Sequence, residues 1–280
     1  MFKKGMWMLL SAFVLCQIVN ATEKPKTYGE KLCTDLFQYD CRTVSRVKIT
    51  ENLKEAKEVT ETWEMLFPKP EKRDLIQRIN RRNTKLQLGD KIAIPHAIDN
   101  KSYFNFSPFP ESVCYHDNDM GVCYAPTYAT SSLFSYIYPK RQLPFCIEGK
   151  TIIFDPDLLA FAAYDKEGIL LHWGPAVGGR DYCADTKKSC RTPIGKHAFA
   201  YKVGANYKSK TYPKGCEGKK CAPMPYALFF EDGSAFHASN FLPGKNASHG
   251  CVRLFLEDAK WLNQEFAEVG TTIIISPYPE

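Results

Sequence analysis

The chain has 280 residues, of which 44% are hydrophobic and 24% are charged. This composition excludes a disordered protein and is enough for one large domain or two moderate ones. The formal net charge of +6 is too small to imply nucleic acid as a partner on its own. Eleven cysteines are many for a reducing cytosol, so the composition favours an exported, disulfide-bonded protein.

Residues 1–21 have the pattern of a secretory signal peptide. Lys3 and Lys4 precede the apolar run MWMLLSAFVLC, and small residues up to Ala21 suit a signal peptidase. The run is too short to span a bilayer, so we expect cleavage after Ala21 and no membrane insertion of the mature chain. A lipid anchor at Cys16 is the alternative, but Leu15 before it is larger than a lipoprotein signal expects.

The remaining cysteines fall mostly into close pairs, which predicts four local disulfides. The pairs are Cys33 with Cys41, Cys114 with Cys123, Cys183 with Cys190, and Cys216 with Cys221. Cys146 and Cys251 are left over, and a bridge between these two would exclude a catalytic role for Cys251. A four-thiolate zinc site made by the last four paired cysteines is a further alternative, which an oxidising compartment disfavours.

Residues 22–100 predict a small α+β domain. NLKEAKEVTETWEMLF and KRDLIQRINRRN favour helices, and LGDKIAIP favours a turn followed by a strand. The second half of this region resembles a degenerate LysM glycan-binding module, on the pattern Asn83, Leu86, Gly89, Ile92, Ile94 and Pro95. A spacer without glycan binding is the alternative. Residues 101–149 follow as a predicted linker and cysteine-bearing segment, because the stretch up to residue 113 is rich in Asn, Ser and Pro.

From residue 150 onward strand signals dominate. The predicted strands are TIIF, LLAFAAY, GILLHWG, PYALFFE, SAFHAS and TTIIISP, with turns at residues 165–168 and at Asp232-Gly233. One helix interrupts them, because Ala259, Leu262, Phe266 and Val269 recur at helical spacing before Gly270. We therefore predict a mainly β domain with one helix over residues 150–280.

An insert at residues 183–221 carries ten lysines and arginines against two acids, with three tyrosines among them. The simpler interpretation is a solvated insertion held by two disulfides. The functional interpretation is a lid that attracts the carboxylates of a substrate, because clustered charge raises the local concentration of an anion. Stacking of nucleotides on its tyrosines is a weaker third alternative.

The stretch NASHGCVRLF places Cys251 directly after His249-Gly250. An unperturbed thiol has a pKa of about 8.5 and is a nucleophile only as thiolate, so a catalytic Cys251 needs a base. His249 and His237 are the candidates in this part of the sequence. The backbone N–H groups of Gly250 and Cys251 are candidate donors to an oxyanion.

His237-Ala238-Ser239, followed by a loop and Ser248 to Arg253, resembles the active-site signature of the YkuD-type L,D-transpeptidases, which modify bacterial peptidoglycan. Upstream, Gly178-Gly179 and Thr192-Pro193-Ile194-Gly195 resemble that family's glycine and Thr-Pro-x-Gly landmarks. The resemblance covers about residues 150–276 and implies a β-sandwich or barrel fold. No cofactor and no metal are expected.

The resemblance also implies roles for individual residues. Cys251 would be the nucleophile and His237 its base, oriented by the carbonyl of Ala238 or Ser239. His249 is the alternative base or a structural hydrogen-bond partner, and Gly250 would belong to the oxyanion site. Arg253, Ser248 and Ser239 would brace the loop and bind substrate.

The function implied is acyl transfer on the tetrapeptide stems of peptidoglycan in a bacterial periplasm or cell envelope. A thioester on Cys251 would form with release of D-alanine, and a second stem would give a 3-3 cross-link. Water as the acceptor would make the protein an L,D-carboxypeptidase, while a D-amino acid or a protein lysine would give other products. The alternative of a different class is a non-catalytic peptidoglycan-binding envelope protein on the same fold.

Overall fold

The computed structural model describes residues 26–49, 57–96, 98, 102–117, 122–124, 146–231 and 233–279. The predicted signal peptide and Asp232 of the predicted turn lie outside them. Among the helices of the described ranges, none has the length and apolar character needed to cross a membrane.

The N-terminal module, residues 26–98, contains three short helices and two pairs of antiparallel strands in its described part. Its elements are α1 Tyr28–Leu32, β1 Tyr39–Thr43, β2 Arg46–Ile49, β3 Lys57–Thr60, α2 Trp63–Leu66, α3 Pro70–Ile79 and β4 Lys91–Pro95. β1 pairs with β4, and β2 pairs with β3. The helices and strands enclose an apolar core made by Val44, Trp63, Phe67, Ile76, Leu86, Ile92 and Ile98.

The helix predicted over NLKEAKEVTETWEMLF is wrong for residues 57–60, and its first five residues, 52–56, lie outside the described part of the chain. Residues 57–60 form β3, and only Trp63–Leu66 is helical. Val59 and Thr60 are β-branched and favour the extended backbone, and β2 supplies a pairing partner that the sequence pattern alone does not reveal. The second predicted helix is confirmed as α3, which starts at Pro70 as prolines favour, and the predicted strand is confirmed as β4. The LysM-like character of the module stays a prediction.

The segment after β4 packs against the rest of the protein over its described part. A 3-10 turn spans Tyr103–Phe106, and β5 Tyr115–Asp117 pairs with β6 Val122–Tyr124. Phe106 and Phe109 are buried, although this stretch is rich in Asn, Ser and Pro. The aromatic residues, rather than the turn-forming ones, therefore determine how the segment packs.

Residues 150–276 form one curled sheet of nine strands. These are β7 Thr151–Asp155, β8 Ala160–Tyr164, β9 Leu170–Val177, β10 Gly195–Ala198, β11 Tyr201–Lys202, β12 Leu228–Glu231, β13 Ser234–Ala238, β14 Val252–Leu254 and β15 Thr272–Ile275. Their order is β10-β15-β7-β8-β9-β14-β13-β12-β11. The sheet curls because Phe199 and Ala200, after β10, donate backbone hydrogen bonds to Thr271 and Phe229 near its two ends.

Both faces of the central strands are buried, which explains their nearly continuous apolar sequences. Phe154 and Phe161 face the core that packs against the helix α4, Leu256–Trp261, and its wider last turn, Leu262–Phe266. Ile153 and Trp173 face the opposite core, which the N-terminal module and the 102–113 segment cover. Val269, predicted on the apolar face of the helix, is 80% exposed because the helix ends at Phe266.

Three of the predicted disulfides are confirmed, namely Cys33–Cys41, Cys183–Cys190 and Cys216–Cys221. The last two close loops within the basic insert, so the zinc alternative is wrong for these cysteines. Cys114 forms no disulfide, so its predicted pairing with Cys123, whose side chain lies outside the described part of the chain, is wrong.

Candidate active site

The strands β13 and β14 bring together two motifs that lie 14 residues apart in the sequence. They run parallel as neighbours, with His237 opposite Arg253 and Phe236 opposite Val252. Cys251 lies immediately before β14, and its side chain packs near Ala235 of β13. Because side chains alternate along a strand, Ala235 and His237 lie on the same face as Cys251.

His237 and Cys251 line one cavity with a volume of about 930 Å³. Arg253, Ser239, Ser248 and His249 also line it. The structure therefore brings together all but one of the residues predicted for the site. Gly250 lies in the same loop as backbone.

His237 is buried, and a hydrogen bond to the backbone of the next residue orients its ring. Its Nδ1 lies 2.8 Å from the carbonyl oxygen of Ala238, one of the two carbonyls that the sequence indicated. A carbonyl only accepts, so Nδ1 carries the proton and Nε2 is left with a free lone pair. The pKa of His237 is lowered to about 4, chiefly by burial; the hydrogen bond to Ala238 opposes this and the charge of Arg253 contributes to it.

Cys251 is half-buried and forms no disulfide with any described cysteine. Burial raises the pKa of its thiol, while a hydrogen bond with the Ala235 backbone and the charge of Arg253 oppose this rise. The sulfur lies 4.0 Å from the carbonyl oxygen of Gly233. The resting pair therefore consists of a thiol and a neutral imidazole.

The turn before Cys251 depends on Gly250 and Ser248. Gly250 has φ +118°, a backbone conformation that residues other than glycine rarely adopt. Its N–H donates to Ser248 Oγ at 3.1 Å, and Ser248 Oγ in turn donates to the Cys251 carbonyl. The Gly250 N–H is thus engaged within the turn, which leaves the Cys251 N–H as the remaining candidate donor to an oxyanion. Ser248 is buried and its hydroxyl braces the turn.

The upstream glycine pair, Gly178 and Gly179, also supports the turn before Cys251. The Gly178 carbonyl accepts the N–H groups of Ala247 and Ser248, both at 3.0 Å. Asn246, which precedes these two residues, is held through its side-chain amide. Its Oδ1 accepts the Gly178 N–H at 2.9 Å, and its Nδ2 donates to the Pro156 carbonyl. The close approach of Cys190 to Gly179 leaves no room for a side chain at that position.

His249 points toward the basic insert. Its Nε2 lies 3.2 Å from a carboxylate oxygen of Asp185, and its ring lies 4.4 Å from the ring of Tyr212. A structural hydrogen bond was one of its two predicted roles, and the role of His249 stays a prediction. Its side chain also lies near Cys183 and Cys190, but their disulfide leaves no thiolates there to bind a metal.

Arg253 has no carboxylate partner within the described ranges of the chain. Its guanidinium lies 5.6 Å from the centre of the Phe241 ring, and burial lowers its pKa. The Ser239 hydroxyl accepts the Phe241 N–H at 3.1 Å. An arginine of this kind, in the wall of a cavity, can pair with an incoming carboxylate.

The basic insert forms one side of the cavity. Tyr207, Lys210 and Tyr212 are among its lining residues. The sequence left open whether the insert is a solvated insertion or a lid, and it did not identify which of its residues face the nucleophile. Asp185, Tyr212 and Asn246 were also missed as partners of the active-site turn. Only Asn246 had a signal, because it lies in the quoted motif.

Residues 149–275 match the YkuD family, described as the L,D-transpeptidase catalytic domain. Solved structures resembling this chain include an L,D-transpeptidase from Xylanimonas cellulosilytica, 24% identical over 55% of this chain and 71% of that one, with a TM-score of 0.42. Another is an L,D-transpeptidase from Stackebrandtia nassauensis, 21% identical over 53% and 68% of the two chains, with a TM-score of 0.40.

A third is L,D-transpeptidase 3 from Mycobacterium tuberculosis with a faropenem-derived adduct, 19% identical over 46% of this chain and 60% of that chain, with a TM-score of 0.38. This chain thus spans less than two thirds of the mycobacterial protein. No curated protein matches. The curled sheet and its cysteine turn lie within residues 149–275, the part of the chain that matches the YkuD L,D-transpeptidase catalytic domain.

Proposed function

We propose that the protein is a cysteine-dependent L,D-transpeptidase that acts on the peptide stems of peptidoglycan. The observation that carries this proposal is the pairing of β13 with β14, which places a free Cys251 and a neutral His237 in one cavity. The proposal extends to an exported protein that works in a bacterial envelope, which agrees with three disulfides in the described residues.

The first step is attack of Cys251 Sγ on the carbonyl carbon of the third stem residue. Because Nδ1 of His237 donates to Ala238, Nε2 accepts the proton of the thiol as the S–C bond forms. The low pKa of His237 and the raised pKa of Cys251 mean that no ion pair stands ready. The proton therefore moves during the attack.

The tetrahedral oxyanion needs a donor, and the Cys251 N–H is the candidate that the turn leaves available. Removing one oxyanion donor typically costs about 100- to 1000-fold in rate. Collapse of the intermediate breaks the C–N bond, and His237 Nε2 returns the proton to the leaving D-alanine. An amine from a second stem then resolves the thioester and gives a 3-3 cross-link, while water gives a shortened stem.

Substrate recognition in this proposal depends on carboxylates. Arg253 supplies an arginine in the cavity wall without a carboxylate partner among the described residues. The insert adds clustered positive charge beside it, which attracts anionic stems at a distance. Replacing Lys208, Lys210, Lys214 and Lys220 with Gln should raise KM at low salt and leave it nearly unchanged at high salt. Equal kinetics of the variant and the wild type at low salt would count against the lid.

The experiment that tests the proposal is mass spectrometry of tetrapeptide muropeptides incubated with the mature protein. Wild-type protein should release D-alanine, and the accompanying dimer, tripeptide or exchange product names the acceptor. Cys251→Ala should be inactive with the disulfides intact. Loss of activity in His237→Ala but not in His249→Ala would support His237 as the base. No release by the wild type would leave a peptidoglycan-binding protein.

A further inference from the structure

The N-terminal module contacts the loop that joins the base to the nucleophile. This linking loop, residues 239–251, begins two residues after His237 and ends at Cys251. Asn83 Nδ2 donates to the carbonyl of Ser239 at 2.9 Å, and its Oδ1 accepts the Leu242 N–H at 2.8 Å. The Asn83 N–H donates to the Leu242 carbonyl at 3.0 Å. One residue thus holds both ends of the segment 239–242.

The module side of this contact is itself fixed. Arg82, next to Asn83, forms a β-bridge with Pro243 and an ion pair with Asp90 at 2.6 Å. The Tyr28 N–H donates to the Gly244 carbonyl at 2.7 Å. We call residues 239–242 the clamped segment. The residues that follow it, Pro243 and Gly244, are bound by Arg82 and Tyr28 of the module, so Asn83 holds the linking loop from a fixed support.

The clamped segment forms a wall of the active-site cavity. Ser239, Asn240 and Phe241 line the cavity, while Leu242 is fully buried. The Phe241 ring lies against the Arg253 guanidinium, which is placed for a substrate carboxylate. A shift of the segment would move this wall and the ring that supports Arg253. His237 would be affected less, because the Ser239 N–H is held independently by the Leu254 carbonyl at 2.9 Å.

We propose that Asn83 is a positioning residue for substrate binding, through which the N-terminal module holds the cavity wall of the catalytic domain. The inference rests on the proposed function, since it assigns Asn83 an effect on the binding of the stem peptide. It predicts that loss of the Asn83 side chain raises KM and leaves kcat nearly unchanged, because the nucleophile and base keep their own supports.

The chain offers a matched control three residues away. The Asn80 side chain makes three hydrogen bonds to backbone groups, one more than that of Asn83, and all of them lie inside the module: Nδ2 donates to Ile76 and Ala93, and Oδ1 accepts the Ala93 N–H. Asn80→Ala therefore tests the loss of equivalent bonds away from the linking loop. Asn83→Asp keeps the size and the acceptor for Leu242, and it removes only the donor to Ser239, so it carries the test if Asn83→Ala fails to fold.

The first measurement is hydrogen exchange of the peptide that contains Leu242, at a temperature where all variants are folded. Exchange should be about tenfold faster in Asn83→Ala, because the Leu242 N–H loses Asn83 Oδ1 as its acceptor. Exchange should be unchanged in Asn80→Ala. The second is stem-peptide kinetics, in which KM should rise about tenfold in Asn83→Ala and kcat should change less than about twofold.

Unchanged exchange in Asn83→Ala would overturn the clamp. Faster exchange with an unchanged KM, or an equal KM increase in Asn80→Ala, would overturn its role in substrate binding. If the wild type shows no turnover, the proposed function fails and the role of Asn83 in substrate binding fails with it. The exchange result would then still establish whether Asn83 holds the loop.

Discussion

A buried carboxylate joins the N-terminal module to the catalytic domain. Arg78 Nη1, on α3, lies 2.9 Å from both carboxylate oxygens of Asp258, on α4. The imidazole Nε2 of His172 lies 2.9 Å from the same carboxylate. Asp258 is 1% exposed and the Arg78 side chain 9%, so the pair is screened very little by solvent. Burial lowers the pKa of Arg78, but the charges of Asp258 and Asp74 outweigh it and raise the pKa.

Asp258→Asn should destabilise the protein by about 3–5 kcal/mol, because it leaves the buried guanidinium without its main counter-charge. This is a large share of the roughly 5–15 kcal/mol by which folded proteins are stable. Asp74→Asn is the matched control. Asp74 also binds Arg78, at 2.7 Å, but its side chain is 54% exposed, and a pair of that kind contributes about 1 kcal/mol or less.

The assay is urea unfolding at pH 7, with the free energy of unfolding compared among wild type, Asp258→Asn and Asp74→Asn. Equal losses for the two variants, or a loss below about 1 kcal/mol for Asp258→Asn, would refute the reasoning. The double variant Arg78→Met/Asp258→Leu should recover much of the loss, because it removes both buried charges and keeps the volume filled.

Three further predictions follow from the active site. His237 has a pKa of about 4 in the folded protein against 6.5 when unfolded, so stability should fall by about 3 kcal/mol as pH drops from 6.5 to 4. His237→Gln should lose that part of the pH dependence, and an unchanged pH profile of urea unfolding would contradict the buried, neutral imidazole. Gly250→Ala should cost about 1–3 kcal/mol and most activity, because φ is +118° there, whereas the control Gly204→Ala should be nearly neutral in melting temperature and turnover. Gly179→Ala should displace the Cys190 segment, since an added Cβ would lie 1.6 Å from the Cys190 carbonyl; a melting temperature equal to the wild type's would contradict this packing.

Six of the nine strands of the sheet could be predicted because their apolar runs are long and bounded by turns, whereas the short β10, β11 and β14 were missed. TIIF and LLAFAAY are nearly continuous since both faces of β7 and β8 are buried. Three of the four predicted local disulfides form, because closely spaced cysteines can pair whatever the tertiary fold. The motif residues His237 and Cys251 were identified by resemblance, and the β13–β14 pairing explains why they come together.

The features that the sequence did not reveal are those that depend on distant partners. The segment 57–60 becomes a strand because β2 pairs with it, while its charged residues favoured a helix by pattern. Asn83 contacts a loop 156 residues away, and local spacing carries no information about such a contact. Asp185, the partner of His249, lies within a basic insert and gave no signal of its own.

The central claim is that Cys251 carries the acyl group, and the most direct test is to trap the thioester. The mature protein would be mixed with a tetrapeptide donor without an acceptor amine, quenched in acid, and measured by intact mass and peptide mapping. The account predicts a tripeptide-stem adduct on the peptide containing Cys251 in the wild type and none in Cys251→Ala. Turnover without an adduct at Cys251, or the same adduct in Cys251→Ala, would contradict it.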